Sequence, residues 1–157
     1  SVSGAGKITE VSADFEFFND NNLNYDKFCF LNVKTENGLR GRIIQDVVSL
    51  PPSKNVCIQY DKMSINWHCN YDKDSDAVSV IDASGEKLRK FPKKRPDDFI
   101  NELSHINNVI KKGIDSPIKL NHGIETMMII AAAHKSFKKK KKVKINYENG
   151  YKLSSII

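Results

Sequence analysis

The side chains with the most reactive chemistry in this 157-residue chain are few and scattered. Its four histidines, His68, His105, His122 and His134, form no HxxxH pair, the spacing that brings two imidazoles together on a helix to hold zinc. His68 and Cys69 are adjacent in an alternating stretch and so point to opposite faces of a strand. No metal site is expected. Cys29, Cys57 and Cys69 are an odd number, 28 and 12 residues apart, each inside an apolar or alternating run. They read as buried, reduced thiols rather than a disulfide or metal framework. Glu102 and His105, three apart on a helical stretch, share a face. Such a pair can be a general acid–base couple, or a solvated contact. Gly4 and Gly6 make a GxG with no strand before it and no third glycine after it, so no dinucleotide phosphate loop is expected in the chain. The one concentrated feature is the lysine run from Lys138 to Lys142, flanked by Lys135 and Lys144. Such a run can engage nucleic acid, anionic lipid or an acidic partner. It can equally be the last turn of a helix, where cations offset the negative end of the dipole. There is no recognition helix, no glycine-aromatic RNA motif and no interleaved aromatic beyond Phe137, so nothing supports base-specific readout.

The elements that must position these groups change period along the chain. Residues 10–17 alternate Val11, Ala13, Phe15 and Phe17 with polar residues, a half-buried strand. Residues 27–34 carry Phe28, Cys29, Phe30, Leu31 and Val33 on both faces, the pattern of a central strand covered on two sides. Asn37-Gly38 predicts a type I′ hairpin into a returning strand over 39–48, which Pro51-Pro52 must end. Short strands follow at 56–60, 64–70 and 77–81, with Ile65, Trp67 and Cys69 on one face and Asn66 and His68 on the other. After Pro96 the period becomes helical: Phe99, Leu103, Ile106, Val109 and Ile110 form a stripe that Gly113 stops. A second helix spans about 121–139, with Ile124, Met127, Met128, Ala131 and Ala132 inward, and 143–147 reads as a last strand. The expected fold is α+β, a predominantly antiparallel open sheet of about six strands with two C-terminal helices packed on one face, in a single domain over 1–157.

Composition excludes several classes. The formal net charge is +6, but residues 134–157 hold eight lysines and one glutamate, leaving 17 basic and 18 acidic residues in the remainder. The body is therefore near neutral, and the basicity belongs to one segment. No apolar run reaches the roughly 18–20 residues that span a bilayer, and residues 1–7 lack an apolar signal core. A cytoplasmic protein with no membrane partner is expected.

The motifs, in their order, resemble the C-terminal domain of the Gfo/Idh/MocA family, named for glucose-fructose oxidoreductase and inositol dehydrogenase. The resemblance runs from Gly6-Lys-Ile-Thr-Glu-Val-Ser-Ala13 through Leu31-Asn-Val-Lys-Thr-Glu-Asn-Gly-Leu-Arg-Gly-Arg42 to Gln45-Asp-Val-Val-Ser-Leu-Pro-Pro52. It continues with Val56-Cys-Ile58, Ile65-Asn-Trp67 and Phe99-Ile-Asn-Glu-Leu-Ser-His105, then Gly123-Ile-Glu-Thr-Met-Met-Ile-Ile-Ala-Ala-Ala-His-Lys-Ser136 and Lys142-Val-Lys-Ile145. It implies a two-domain NAD(P)-dependent oxidoreductase of a sugar, nucleotide sugar or cyclitol, with members linked to surface-polysaccharide synthesis nearest in pattern. In such a protein an N-terminal Rossmann domain holds NAD or NADP. The C-terminal sheet covers the active site with one face and packs on a partner subunit with the other. The family's Glu-Lys-Pro lysine and its Asp and His have no counterpart here, so no catalytic, cofactor-binding or metal residue is assigned, and the Rossmann domain is expected upstream of Ser1. Substrate contacts are expected at Arg42, Gln45, Asp46, Ser49 and Lys54, polar groups that could equally be plain solvent-facing residues. A homodimer or higher oligomer is expected through an open sheet face, with no nucleic acid partner. The rival reading is a stand-alone basic module working through Lys138 to Lys142, and a small enzyme using Glu102 and His105 is a third. Lys140 departs from the family, which commonly has glycine there, and should leave the helix without its usual C-cap.

Overall fold

The computed structural model describes residues 6–20 and 23–157. Gly4 of the GxG and residues 1–5 of the N-terminal stretch lie outside them. In chain order the elements are β1 (Ile8–Asp20), β2 (Leu23–Thr35), β3 (Arg40–Asp46), β4 (Lys54–Gln59), β5 (Met63–Asp72), β6 (Ser75–Asp82), β7 (Gly85–Pro92), α1 (Asp97–Lys112), α2 (Leu120–Lys139) and β8 (Val143–Lys144). Two short 3₁₀ turns, Tyr147–Asn149 and Leu153–Ser155, close the chain. The α+β class holds, but the strands form two antiparallel sheets of four, ordered β3-β2-β1-β8 and β4-β5-β6-β7. They belong to two compact units, Ser1–Val48 with Pro117–Ile157, and Ser49–Ser116.

In the first unit the alternation of β1 places Val11, Phe15 and their partners on one face, against Met128, Ala132 and Ala133 of α2. Val143, Ile145 and Ile156 from the chain end complete this core. Alanines at 132 and 133 let the helix approach the sheet closely, and burying each large side chain there contributes about 1.5–3 kcal/mol. β8 is only two residues long, so the ladder beside β1 runs out at Val11. There the buried Ser136 hydroxyl takes over, accepting from the Ala13 N–H at 3.1 Å and donating to the Lys141 carbonyl at 2.7 Å. β2 is inner in its sheet, yet Phe30 is exposed, so its second face lies open rather than covered.

Three local expectations change. The hairpin after β2 is a three-residue loop in which Gly38 alone has positive φ (86°), with Gly38 N–H donating to Thr35 O and the Thr35 hydroxyl accepting from Leu39 N–H. This is not a type I′ turn. The segment after α2 yields two strand residues and then a 3₁₀ turn, where the Asn146 carboxamide accepts from Glu148 N–H. Lys140 itself adopts the left-handed conformation (φ 51°, ψ 36°) and closes a Schellman motif, with Lys140 N–H on Phe137 O and Lys141 N–H on Ser136 O. The helix is therefore capped without glycine.

In the second unit β6 is central, with Ser75, Ala77 and Ser79 buried on one face and Val78 and Val80 on the other beside Trp67 and Ile65. β7, unassigned in the sequence, is an exposed edge carrying Lys87, Arg89 and Lys90, charges that discourage strand addition. α1 ends at Gly113 in the left-handed conformation, as its pattern implies, and begins after Pro96 with Asp97 and Asp98 in its first turn. None of its residues is buried: Phe99, Leu103, Ile106 and Ile110 are exposed, so the expected inward stripe is not packed within this unit. Of the two helices, α2 alone packs on the sheet of its own unit.

Candidate functional site

The five residues expected to contact substrate divide between the two units. Arg42, Gln45 and Asp46 lie on the edge strand β3, while Ser49 and Lys54 belong to the second unit, Lys54 opening β4 opposite Cys69. The register also divides β3. Gln45 pairs with Cys29, which pairs with Phe15, so Gln45 is on the face that α2 covers. Arg42 pairs with Asn32, which pairs with Ser12, and lies with Asp46 on the opposite face. Asp46 Oδ1 accepts from Val48 N–H at 2.9 Å, a turn contact that aligns the carboxylate at the end of the strand.

That opposite face has two ends of different chemistry. Around Phe28, Phe30 and Ile44 it is apolar: the two rings stack at 6.1 Å, Phe30 pairs with Ile44, and Phe30 and Ile44 are 43% and 60% exposed. At the other end a depression of about 420 Å³ is lined by Glu10, Ser12, Asn32, Lys34, Arg40 and Lys142, with Val33 and Gly41. Glu10 Oε2 accepts from Lys142 Nζ at 2.7 Å, and this bond, together with the charges of Lys34 and Lys144, holds the Glu10 carboxyl below the usual range.

A second polar network, invisible in the sequence, ties the start of β1 to α2 and the chain end. Lys7 Nζ donates to the Tyr151 hydroxyl at 3.1 Å and sits 3.3 Å from Glu125 Oε1, while Tyr151 donates to the same carboxylate at 3.0 Å. Burial works against ionising Glu125, but hydrogen bonds from Tyr151, Lys7 and His122 outweigh it and keep the carboxyl low. The Tyr147 phenol donates to Ile8 O at 3.0 Å, and burial pushes it up to about 12. Lys7, Tyr151 and Glu125 are thus engaged with one another, and Tyr147 holds the start of β1.

The remaining candidates are accounted for locally. His105 Nε2 lies 2.9 Å from the Ser116 hydroxyl, His134 stacks on Phe15 at 4.7 Å, and His68 meets Asn55 at 3.2 Å. The three cysteines are free; Cys29 and Cys69 are half-buried, but Cys57 is exposed, which corrects the expectation of burial for that residue. Among the described residues no group of His, Cys, Asp or Glu could hold a metal ion, and no helix is long and apolar enough to cross a membrane. Part of the lysine run is engaged within the fold: Lys142 on Glu10, Lys140 over the Phe137 ring at 3.9 Å, and Lys135 on the Ile156 carbonyl.

No family model matches the chain, and no curated protein does. Solved structures do. An oxidoreductase from Agrobacterium radiobacter, in complex with NAD+, L-tartaric acid and magnesium, matches with a TM-score of 0.70 at 13% identity over 89% of this chain and 44% of its own. An oxidoreductase of Desulfitobacterium hafniense described as NADPH-dependent gives 0.71 at 12% identity, over 88% of this chain and 42% of its own. The WlbA dehydrogenase of Bordetella pertussis, in complex with NADH and UDP-GlcNAcA, gives 0.64 at 12% identity, over 90% and 41%. The fold expected from the motifs is thus the fold observed, and the chain spans less than half the length of the proteins that share it.

Proposed function

We propose that this chain is the C-terminal, substrate-covering and oligomerising domain of an NAD(P)-dependent oxidoreductase that acts on a sugar, nucleotide sugar or cyclitol. One observation carries the reading: nearly the whole chain superposes on less than half of three oxidoreductases whose descriptions name NAD+, NADPH or NADH. The ordered motifs of the Gfo/Idh/MocA family support it. In this reading the dinucleotide is held by a Rossmann domain preceding Ser1, the proton-transferring residues also lie upstream of Ser1, and the chain alone is inactive and resident in the cytoplasm. Hydride then moves between nicotinamide and a carbinol carbon of the substrate. In the first unit Gln45, on the α2 side, and Arg42 and Asp46, on the open face, are the candidates for hydroxyl contacts, and in the second unit Ser49 and Lys54 are. The test is activity of the longest natural polypeptide that contains this chain, followed by the absorbance of reduced nicotinamide with sugars and nucleotide sugars. Turnover of one of them is expected; turnover without any nicotinamide would reject the assignment.

The apolar end of the open face is proposed as the contact with a second copy. Phe28, Phe30 and Ile44 remain partly or largely exposed there, and a stable interface needs about 1,000 Å² or more. Light scattering should give a dimer or larger that Phe30→Asp reduces to a monomer. A strict monomer at high concentration would exclude this role.

A further inference from the structure

We propose that the depression at the polar end of the open face in the first unit is a binding site for a phosphate-bearing small molecule. This inference does not rest on the oxidoreductase reading. One cross-strand row runs through β8, β1, β2 and β3 as Lys144, Glu10, Lys34 and Arg40, each residue directly opposite the next. Side chains opposed in this way stand about 5 Å apart at Cβ, and like charges so placed are destabilising. Lys34 and Arg40 are such a pair, and among the described residues neither makes an ion pair. Among the described residues the only carboxylate lining the depression, Glu10, is engaged by Lys142. The row therefore holds an excess of positive charge that a multivalent anion would neutralise.

The next row supplies two neutral groups, Ser12 and Asn32, beside a further cation, Arg42. Ser12, Asn32 and Arg42 are opposed across β1, β2 and β3, and the Ser12 hydroxyl and Asn32 carboxamide line the same depression. Hydroxyl and amide donors among cations are the set that recognises phosphate oxygens, and the Arg40 fork can engage two of them at once. A volume of about 420 Å³ is in the range of small-molecule sites, and six of the eight lining residues carry polar or charged side chains, so charge and hydrogen bonding are available for recognition there. The exposed lysines at 138 and 139 are not among the residues that line this depression. Along β2 the aromatic end of the face begins at Phe30, two residues or about 7 Å from Asn32 and four residues or about 13 Å from Lys34.

The test is titration of the chain with inorganic orthophosphate, pyrophosphate and acetate, followed by amide chemical shifts and calorimetry. Saturable binding is expected, pyrophosphate tighter than orthophosphate and acetate weakest, with shifts centred on residues 10, 12, 32, 34, 40 and 142. Arg40→Gln should weaken pyrophosphate about tenfold or more, since it removes a charge-assisted contact. It should not lower the melting temperature, because it relieves the repulsion with Lys34; should it fail to fold, Lys142→Gln on the exposed connection serves for the same loss. Glu10→Gln should tighten binding several-fold by freeing Lys142, whereas Glu16→Gln should leave it unchanged. Glu16 makes the same charge change on the same strand but is paired with Lys27. Equal effects of Glu10→Gln and Glu16→Gln, shifts centred on residues 138–141, acetate binding as tightly as pyrophosphate, or no saturable binding would each overturn the proposal.

Discussion

Lys140 offers a sharp energetic test of the fold. It closes the Schellman motif of α2 in the left-handed region, at φ 51° and ψ 36°, where a Cβ costs about 1–2 kcal/mol. Lys140→Gly removes that cost, but gives back about 0.4–1 kcal/mol through the greater entropy of the unfolded chain. It also loses the ammonium over the Phe137 ring at 3.9 Å, worth about 0.5 kcal/mol at an exposed site. Comparison with Lys140→Ala cancels this contact, since neither variant has it, and isolates the backbone. Alanine keeps the Cβ and its strain; glycine does not. The Gly variant should therefore be more stable than the Ala variant by about 0.5–1 kcal/mol, which for a chain of this size is about 2–3 °C in melting temperature. Two-state denaturation of both variants, with slopes compared so that a changed unfolded state is detected, is the assay. An Ala variant as stable as the Gly variant, or more so, would refute the left-handed cap.

Two further outcomes follow from single contacts. Ser136→Ala leaves the Ala13 N–H and the Lys141 carbonyl without their buried partner, and should cost about 1–3 kcal/mol, read as a drop of several degrees in melting temperature; a change under about half a kcal/mol would mean that water reaches this site. In the second unit the hydrogen bond from Lys90, with those from Ser75 and the Asp74 N–H, brings the Asp72 carboxyl down to about 2, and that from Lys93 lowers Asp76. A depressed carboxyl stabilises the folded form above its unfolded value near 4, and this contribution is lost as pH falls through the folded value. The β5–β6 tip should therefore loosen between about pH 4 and pH 2, seen as faster amide exchange there, and Asp72→Asn should abolish most of that pH dependence; an unchanged profile would show that these pairs are not coupled to the tip.

Much of the fold was legible because burial leaves a period in the sequence. Val11, Ala13, Phe15 and Phe17 identified β1 and its inner face, and Gly113 marked where α1 stops, whereas β3 ends at Asp46, five residues before Pro51. β7 escaped because an exposed edge strand with no buried residue needs no apolar alternation. The α1 stripe was real as a pattern, but period shows that a face is apolar, not what covers it. The division into two sheets was not readable, since alternation assigns residues to faces and says nothing of which strands pair. The site was least legible. Glu10 and Lys142 are 132 residues apart and Lys7 and Tyr151 144 apart, so only strand pairing and the return of the chain end bring them together. Of the expected substrate contacts, the three on β3 divide by face: a period of two puts Arg42 and Asp46 opposite Gln45, which parity within the strand already required.

The central claim is that this chain carries the covering half of a nicotinamide enzyme and not its cofactor site. Calorimetric titration of NADH and NADPH tests it most directly, performed on the 157-residue chain and on the longest natural polypeptide that contains it. The account requires saturable binding of one dinucleotide by the longer polypeptide and none by the shorter chain. Tight binding to the 157 residues alone, or none to the longer polypeptide, would contradict it.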